Sequence, residues 1–320
     1  MCIFSLAEDT GGSIRQPAAL CGVTGLKTSY GRVSRYGSIA YASSLDTIGP
    51  ITKTVEDTAI VLQAIAGQDK MDHTTMPDKV PNYKEILNNP VVGKVIGLPK
   101  EYFTNDLDSE IKEKIDEAIE VFKKLGAEIK EISLPHTKYC LATYYLLAPA
   151  ETSANLARLD GIRFGHRTKE FKTLDELYKK SRSEGFGDEV KRRIMIGAYS
   201  LSAGYYDAYY KQAQKARTLI IEDFKKAFAE VDFIFSPTSP FTAFKIGEKT
   251  TDPMAMYLAD IFNGGFSLAG LPTISIPCGF AKKLPVGLQI TGNYLDEAGV
   301  LNVAHQYQKA TTLHEQKPTL

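Results

Sequence analysis

The sequence has few of the residues that build metal centres, and they are not clustered. Its 320 residues include only four cysteines and five histidines. The cysteines are Cys2, Cys21, Cys140 and Cys278, and none of them forms a Cys-X-X-Cys pair. The histidines are not spaced as a ligand set either, so we expect no metal site in this chain.

The chain also lacks net charge, long apolar runs and a recognisable export signal. Its 38 basic residues balance its 38 acidic residues, and a neutral chain is poorly suited to binding a polyanion by charge alone. No stretch reaches the roughly 18 consecutive apolar residues of a membrane span. Scattered cysteines without a basic N-terminal signal favour a reducing, cytoplasmic setting.

The remaining pattern alternates short apolar runs with amphipathic helical periodicity. A strand is predicted over 94–99, a helix capped by Asp108 or Ser109 follows, and 128–134 alternates as a second strand. This βαβ-type order predicts an α/β fold, with a mixed β-sheet core covered by helices in a single domain over 1–320. The other predicted elements are a largely helical region over 138–230, strands over 232–236, 272–277 and 285–290, and a last helix over 296–310.

The chemically informative segment lies within the first fifty residues and contains Gly11-Gly12-Ser13. Adjacent glycines permit backbone conformations that other residues resist, and they allow N–H groups to point into a cleft. Such N–H groups beside a hydroxyl suit acyl transfer, which needs a nucleophile and donors for the developing oxyanion. The same three residues are also typical of a glycine-rich turn with a capping serine.

A serine nucleophile needs a base, and the residues around the turn do not supply an obvious one. The first histidine is His73, and the nearest lysine is Lys27. Lys27 could act as a base only if burial lowered its pKa, and a solvated or structural cation is the favoured role. Asp9 and Arg15 flank the turn, and we expect them to pair across it as a structural brace.

The wider sequence resembles the amidase signature family, and within it the branch that supplies ammonia to tRNA-dependent amidotransferases. The resemblance extends over essentially the whole chain and implies the amidase signature fold. The segments that carry it are 9–18, 21–27, 30–37, 43–50, 155–161, 187–194, 268–272 and 285–290.

In that family a lysine and a cis-serine activate a serine nucleophile. The resemblance implies that Ser13 is the acyl-ester nucleophile and that backbone N–H groups of Thr10, Gly11, Gly12 and Ser13 itself form the oxyanion hole. Ser13 would attack the side-chain amide of glutamine, and ammonia and then glutamate would leave. The family's lysine and cis-serine lie upstream of the turn. We therefore expect an N-terminally truncated domain that lacks its base.

The resemblance also implies a glutamine pocket and reveals one departure from the family pattern. Asp260 would bind the α-amino group, Arg193 the α-carboxylate, and Tyr144 would be the aromatic contact, with Tyr145 as the alternative. Ala7-Glu8 stands where the family has Gly-Ser. The glutamate would place a negative charge near the developing oxyanion.

The resemblance further implies a cytoplasmic heterotrimer with subunits B and C and no contact with a membrane. The partner subunit would hold the misacylated tRNA and use ATP and Mg²⁺ to activate it, and this subunit would need no cofactor. Two alternatives remain open: a stand-alone amidase of the same family, and an inactive fragment that only binds a partner.

Overall fold

A single mixed β-sheet organises the molecule. The computed structural model describes residues 2–104, 107–248 and 256–317. The strands are β1 (Phe4–Asp9), β2 (Thr24–Lys27), β3 (Thr47–Thr52), β4 (Val95–Pro99), β5 (Glu128–Ile132), β6 (Phe233–Pro237), β7 (Thr273–Ala281) and β8 (Leu284–Thr291). They lie in the order β1-β3-β2-β7-β8-β6-β4-β5, so β1 and β5 form the two edges.

Helices pack against this sheet, which confirms the predicted α/β class. Those in the described residues are α1 (Arg15–Cys21), α2 (Val55–Ile65), α3 (Tyr83–Ile86), α4 (Ser109–Lys124), α5 (Cys140–Asn155), α6 (Leu174–Gly185), α7 (Asp188–Ser200), α8 (Tyr210–Ala227), α9 (Gly264–Leu268) and α10 (Glu297–Ala310).

The predicted βαβ unit is confirmed as β4, α4 and β5. The two strands pair in parallel, with Val95 opposite Glu128. The Asp108 carboxylate caps α4 by accepting a 2.9 Å hydrogen bond from the Glu110 N–H. The helix buries an apolar face that includes Ile115 and Phe122, and this burial holds it against the sheet.

Strands β2 and β3 are absent from the sequence prediction because their residues do not alternate. All four residues of β2 are buried, and β3 contains the unusual strand pair Gly49-Pro50. Both strands lie between β1 and β7. They therefore connect the β1–α1 turn, which contains Ser13, to the centre of the sheet.

Candidate active site

The turn that carries Gly11-Gly12-Ser13 joins the end of β1 to the start of α1. Gly12 has φ +143°, and a Cβ on it would lie 2.9 Å from the Asn263 Cβ. A Cβ on Gly11 would lie 2.5 Å from the Tyr144 ring. Since both positions lack room for a side chain, the turn packs tightly between Asn263 and Tyr144.

The backbone N–H groups of this turn have different partners. The Gly12 N–H donates to the Asp9 carboxylate at 2.8 Å, and the Ile14 N–H does so at 3.1 Å. Within the described residues, the N–H groups of Thr10, Gly11 and Ser13 have no hydrogen-bond partner. The Ser13 side chain is exposed. The turn therefore has three unengaged N–H groups, those of Thr10, Gly11 and Ser13, beside an accessible hydroxyl.

Asp9 and Arg15 form the brace that the sequence predicts. Arg15 Nε donates to Asp9 Oδ2 at 3.0 Å, and neither side chain is exposed. Burial alone would raise the pKa of Asp9, but the Arg15 guanidinium outweighs that effect and the pKa is lowered. Arg15 also donates to Ser267 at 2.8 Å and to Gln289 at 3.0 Å. These bonds tie the turn to α9 and β8.

Lys27 is a fully buried lysine whose hydrogen bonds go to backbone carbonyls. Its Nζ donates to the carbonyls of Thr28 at 3.1 Å and Leu271 at 3.0 Å. Burial lowers its pKa to about 7. Full burial excludes the solvated role, and the lowered pKa meets the condition for a base. The two carbonyl bonds give Lys27 a structural role, because they join the end of β2 to the chain that enters β7.

Glu8, the departure from the family pattern, lies on a cavity of about 180 Å³ that Arg35 and Asp46 also line. Ser38 donates to Glu8 at 2.8 Å. Burial raises the pKa of Glu8, and the nearby Asp46 carboxylate raises it further. Asp46 in turn accepts the Thr10 hydroxyl at 2.7 Å. Glu8 is thus the residue directly before Asp9 of the brace, and Asp46 links its carboxyl group to Thr10 in the turn.

The structure brings the predicted glutamine-binding residues together. Tyr145 donates to Asp260 Oδ2 at 2.7 Å, and the Arg193 guanidinium lies 6.0 Å from the Tyr145 ring centroid. Tyr144 contacts Tyr145 edge to face with centroids 5.0 Å apart. Tyr144 packs on the Gly11 backbone, whereas Tyr145 contacts both the predicted cation and the predicted anion.

The two charged groups of this cluster, Asp260 and Arg193, have shifted pKa values. Burial raises the pKa of Asp260 to about 6, and the Tyr145 hydrogen bond only partly offsets this. Burial alone would lower the pKa of Arg193, but Tyr41 and Glu189 outweigh it and the pKa is raised. Arg193 is thus a fixed cation, and Asp260 changes its charge in the weakly acidic range.

Sequence reasoning missed the residues that hold Arg193. Its Nη1 donates to the Tyr41 hydroxyl at 2.7 Å, and its Nε donates to Glu189 at 2.8 Å. The Tyr257 hydroxyl also donates to Glu189, at 3.3 Å. The spacing of Glu189 and Arg193 on α7 is the one signal that could have indicated a pair. Tyr41 lies in an irregular segment and has no local signature.

Two kinds of feature are missing from the described residues. No group of three or more cysteine, histidine or acidic side chains there could hold a metal ion. Across the same residues, no helix is long and apolar enough to cross a bilayer.

Comparison with known proteins adds a family and several named relatives. The family model described as Amidase matches residues 1–301. The A subunit of a glutamyl-tRNA(Gln) amidotransferase from Geobacillus sp. (strain WCH70) is 59% identical over 317 residues, which are 99% of this chain and 65% of that protein. The equivalent protein of Hahella chejuensis is 56% identical over 320 residues, which are 100% of this chain and 66% of that protein.

A solved structure is also similar. The crystal structure of the A subunit of a glutamyl-tRNA(Gln) amidotransferase from Thermotoga maritima matches with a TM-score of 0.78 and 44% identity. The match covers 94% of this chain and 61% of the other. This chain thus spans about 65% of the length of the first curated relative that it matches.

Proposed function

Because the chain belongs to the amidase family, we propose that it is a glutaminase subunit of a tRNA-dependent amidotransferase. The observation that carries this assignment is a cluster of side chains beside the Ser13 turn, in which Tyr145 contacts both a cation, Arg193, and an acid, Asp260. An amino acid such as glutamine carries the complementary pair of charges, and charge-assisted hydrogen bonds to both are strong.

We propose that the Ser13 hydroxyl oxygen attacks the amide carbon of glutamine. The Thr10, Gly11 and Ser13 N–H groups, which lack other partners among the described residues, stabilise the oxyanion of the tetrahedral intermediate. The C–N bond then breaks, and the nitrogen leaves as ammonia with the proton taken from Ser13. Water hydrolyses the glutamyl ester and releases glutamate. This step needs a base for the Ser13 proton. The family resemblance implies a lysine that acts through a cis-serine, and we assign neither of them to a residue of this chain.

The ammonia acceptor and the partners are part of the same proposal. The curated relatives are named as subunits of an amidotransferase for glutamyl-tRNA(Gln). We therefore propose a cytoplasmic heterotrimer with subunits B and C. In it, the partner subunit binds the misacylated tRNA and activates it with ATP and Mg²⁺, and this subunit needs no cofactor. The balance of 38 basic and 38 acidic residues fits a subunit that does not itself hold the tRNA.

A comparison of amide substrates tests this function. In the assembled enzyme, we expect ammonia release from L-glutamine but little from propionamide or benzamide. Arg193→Met should raise the KM for glutamine at least tenfold, while Arg192→Met, which alters the exposed neighbouring cation, should change it less than threefold. A preference for the apolar amides would instead favour a stand-alone amidase.

A further inference from the structure

Asp46 is a buried carboxylate that joins the nucleophile turn to the segment before β3. Its Oδ1 accepts the Thr10 hydroxyl at 2.7 Å. Its Oδ2 accepts the N–H groups of Tyr41 at 2.9 Å and Ala42 at 2.8 Å. Asp46 is only 1% exposed, so these three bonds are shielded from competition with water.

Tyr41 is held at both of its ends. Its backbone N–H is fixed by Asp46, and its carbonyl accepts Asn155 Nδ2 at 3.1 Å. Its hydroxyl accepts Arg193 Nη1 at 2.7 Å. The Arg193 guanidinium also lies 5.6 Å from the Tyr41 ring centroid, a cation–π distance. Tyr41 therefore links the Asp46 segment to helix α7.

One nitrogen of the Arg193 guanidinium remains available for a hydrogen bond to a ligand. Glu189 binds its Nε from one turn away on the same helix, so Glu189 orients the guanidinium without tying it to the turn. Tyr41 occupies Nη1. Nη2 has no hydrogen-bond partner within the described parts of the chain, and the side chain is 25% exposed. An incoming carboxylate can therefore bind at Nη2 without displacing either partner.

We propose that Asp46 and Tyr41 are positioning residues that set the distance between the nucleophile turn and Arg193, and that they thereby select glutamine over asparagine. The contacts run without a gap from Thr10 through Asp46 and Tyr41 to Arg193. A substrate must place its carboxylate at Arg193 and its amide carbon at Ser13. Asparagine is one methylene shorter and cannot satisfy both ends. This inference rests on the proposed glutaminase function.

Binding in a Ser13→Ala background tests the inference, since neither amide is then hydrolysed through Ser13. Dissociation constants for L-glutamine and L-asparagine are measured by calorimetry. One methylene in a hydrophobic pocket changes discrimination between substrates by about 10–200-fold. Because asparagine would also lose one of its two end contacts, we expect the parent to favour glutamine at least tenfold. Tyr41→Phe removes the acceptor for Arg193 and keeps the ring, and it should reduce that preference below threefold.

Two further variants complete the comparison. The side chain in Asp46→Asn has one acceptor oxygen instead of two, so it cannot accept the Thr10 hydroxyl on one oxygen and the N–H groups of Tyr41 and Ala42 on the other. The preference of this variant for glutamine should therefore fall below threefold as well. Tyr36→Phe changes an exposed tyrosine of the same segment, whose hydroxyl has no hydrogen bond among the described residues, and it should keep the parental preference. Thermal melting verifies that each variant is folded. If Asp46→Asn does not fold, the result for Tyr41→Phe alone decides the test.

The possible results separate the positioning role of Asp46 and Tyr41 from the proposed glutaminase function. Loss of preference in Tyr41→Phe, with Tyr36→Phe unchanged, supports the inference. A parent that binds both amides equally overturns it, as does a folded Tyr41→Phe variant that keeps the tenfold preference or weakens both amides by the same factor. A parent that binds neither amide contradicts the proposed function itself.

Discussion

The Arg15 guanidinium contacts the Asp9 carboxylate through two hydrogen bonds, from Nε to Oδ2 at 3.0 Å and from Nη2 to Oδ1 at 3.1 Å. This bidentate pair closes the base of the turn that carries Ser13. Because the pair is fully buried, its geometry and its charge balance both contribute to the turn's shape.

Breaking this pair should destabilise the protein strongly. Arg15→Met leaves the Asp9 carboxylate buried without its cation, which typically costs about 3–5 kcal/mol. Chemical denaturation measures the loss. As a control, Arg163→Met removes a pair in which the arginine side chain is 66% exposed, and it should cost less than about 1 kcal/mol. Similar losses of stability in both variants would mean that burial of the Asp9–Arg15 pair does not increase its contribution to the free energy of unfolding.

Gly12→Ala should damage the turn by two separable effects. The φ of +143° is unfavourable for alanine, and the new Cβ would lie 2.9 Å from the Asn263 Cβ. Gly37 has φ +91° with nothing within 4 Å of an added Cβ, so Gly37→Ala reports the backbone effect alone, of order 1 kcal/mol. We expect Gly12→Ala to lose more stability than Gly37→Ala and also to lose glutamine hydrolysis. Equal stability losses would exclude the Asn263 contact as a cause.

Glutamine binding should weaken below pH 6. Burial raises the pKa of Asp260 to about 6, so the carboxyl group becomes neutral as the pH falls through that value and stops attracting an ammonium group. The dissociation constant, measured in Ser13→Ala from pH 7.5 to 5, should rise up to tenfold per pH unit below about 6. Asp260→Asn should bind weakly at every pH and remove this dependence. A dependence that persists in Asp260→Asn would assign it to another group.

Lys27 should make stability rise with pH. Its pKa is about 7 in the folded protein and ordinarily 10.5, so between these values the unfolded chain binds more protons than the folded one. The free energy of unfolding therefore increases with pH in this window, by up to about 1.4 kcal/mol per unit. Measured relative to Lys27→Met, wild type should gain stability from pH 7 to pH 9. A constant difference would show that Lys27 keeps its proton throughout.

Local patterns predicted the elements that depend on local physics. Helix α4 was predicted from its cap and its apolar spacing, and the Asp9–Arg15 brace from the two charges that flank one turn. Strand β2 was not predicted, because a fully buried strand of four residues has no alternation to detect. Tyr41 and Asp46 were not predicted as neighbours of Arg193 either, since Tyr41 and Arg193 are 152 positions apart in the chain and only the fold brings them together.

The fold and the pocket residues came from two different kinds of reasoning. The α/β class follows from the order of strand and helix patterns. Arg193 and Asp260 followed from family resemblance alone, because an isolated arginine on a helix is most often a solvated charge. Arg193 on α7 bonds Tyr41 in the segment before β3, and Asp260 bonds Tyr145 on α5. Each bond joins segments far apart in the chain, and no single segment of sequence contains that information.

Covalent labelling of Ser13 by a glutamine-derived electrophile, 6-diazo-5-oxo-L-norleucine, tests the central claim most directly. Peptide mapping by mass spectrometry locates the adduct. We predict one adduct on Ser13, which excess L-glutamine prevents and which Ser13→Ala lacks. An adduct of the same yield in Ser13→Ala, or one that L-glutamine does not prevent, would contradict the assignment of Ser13 as the glutamine-attacking nucleophile.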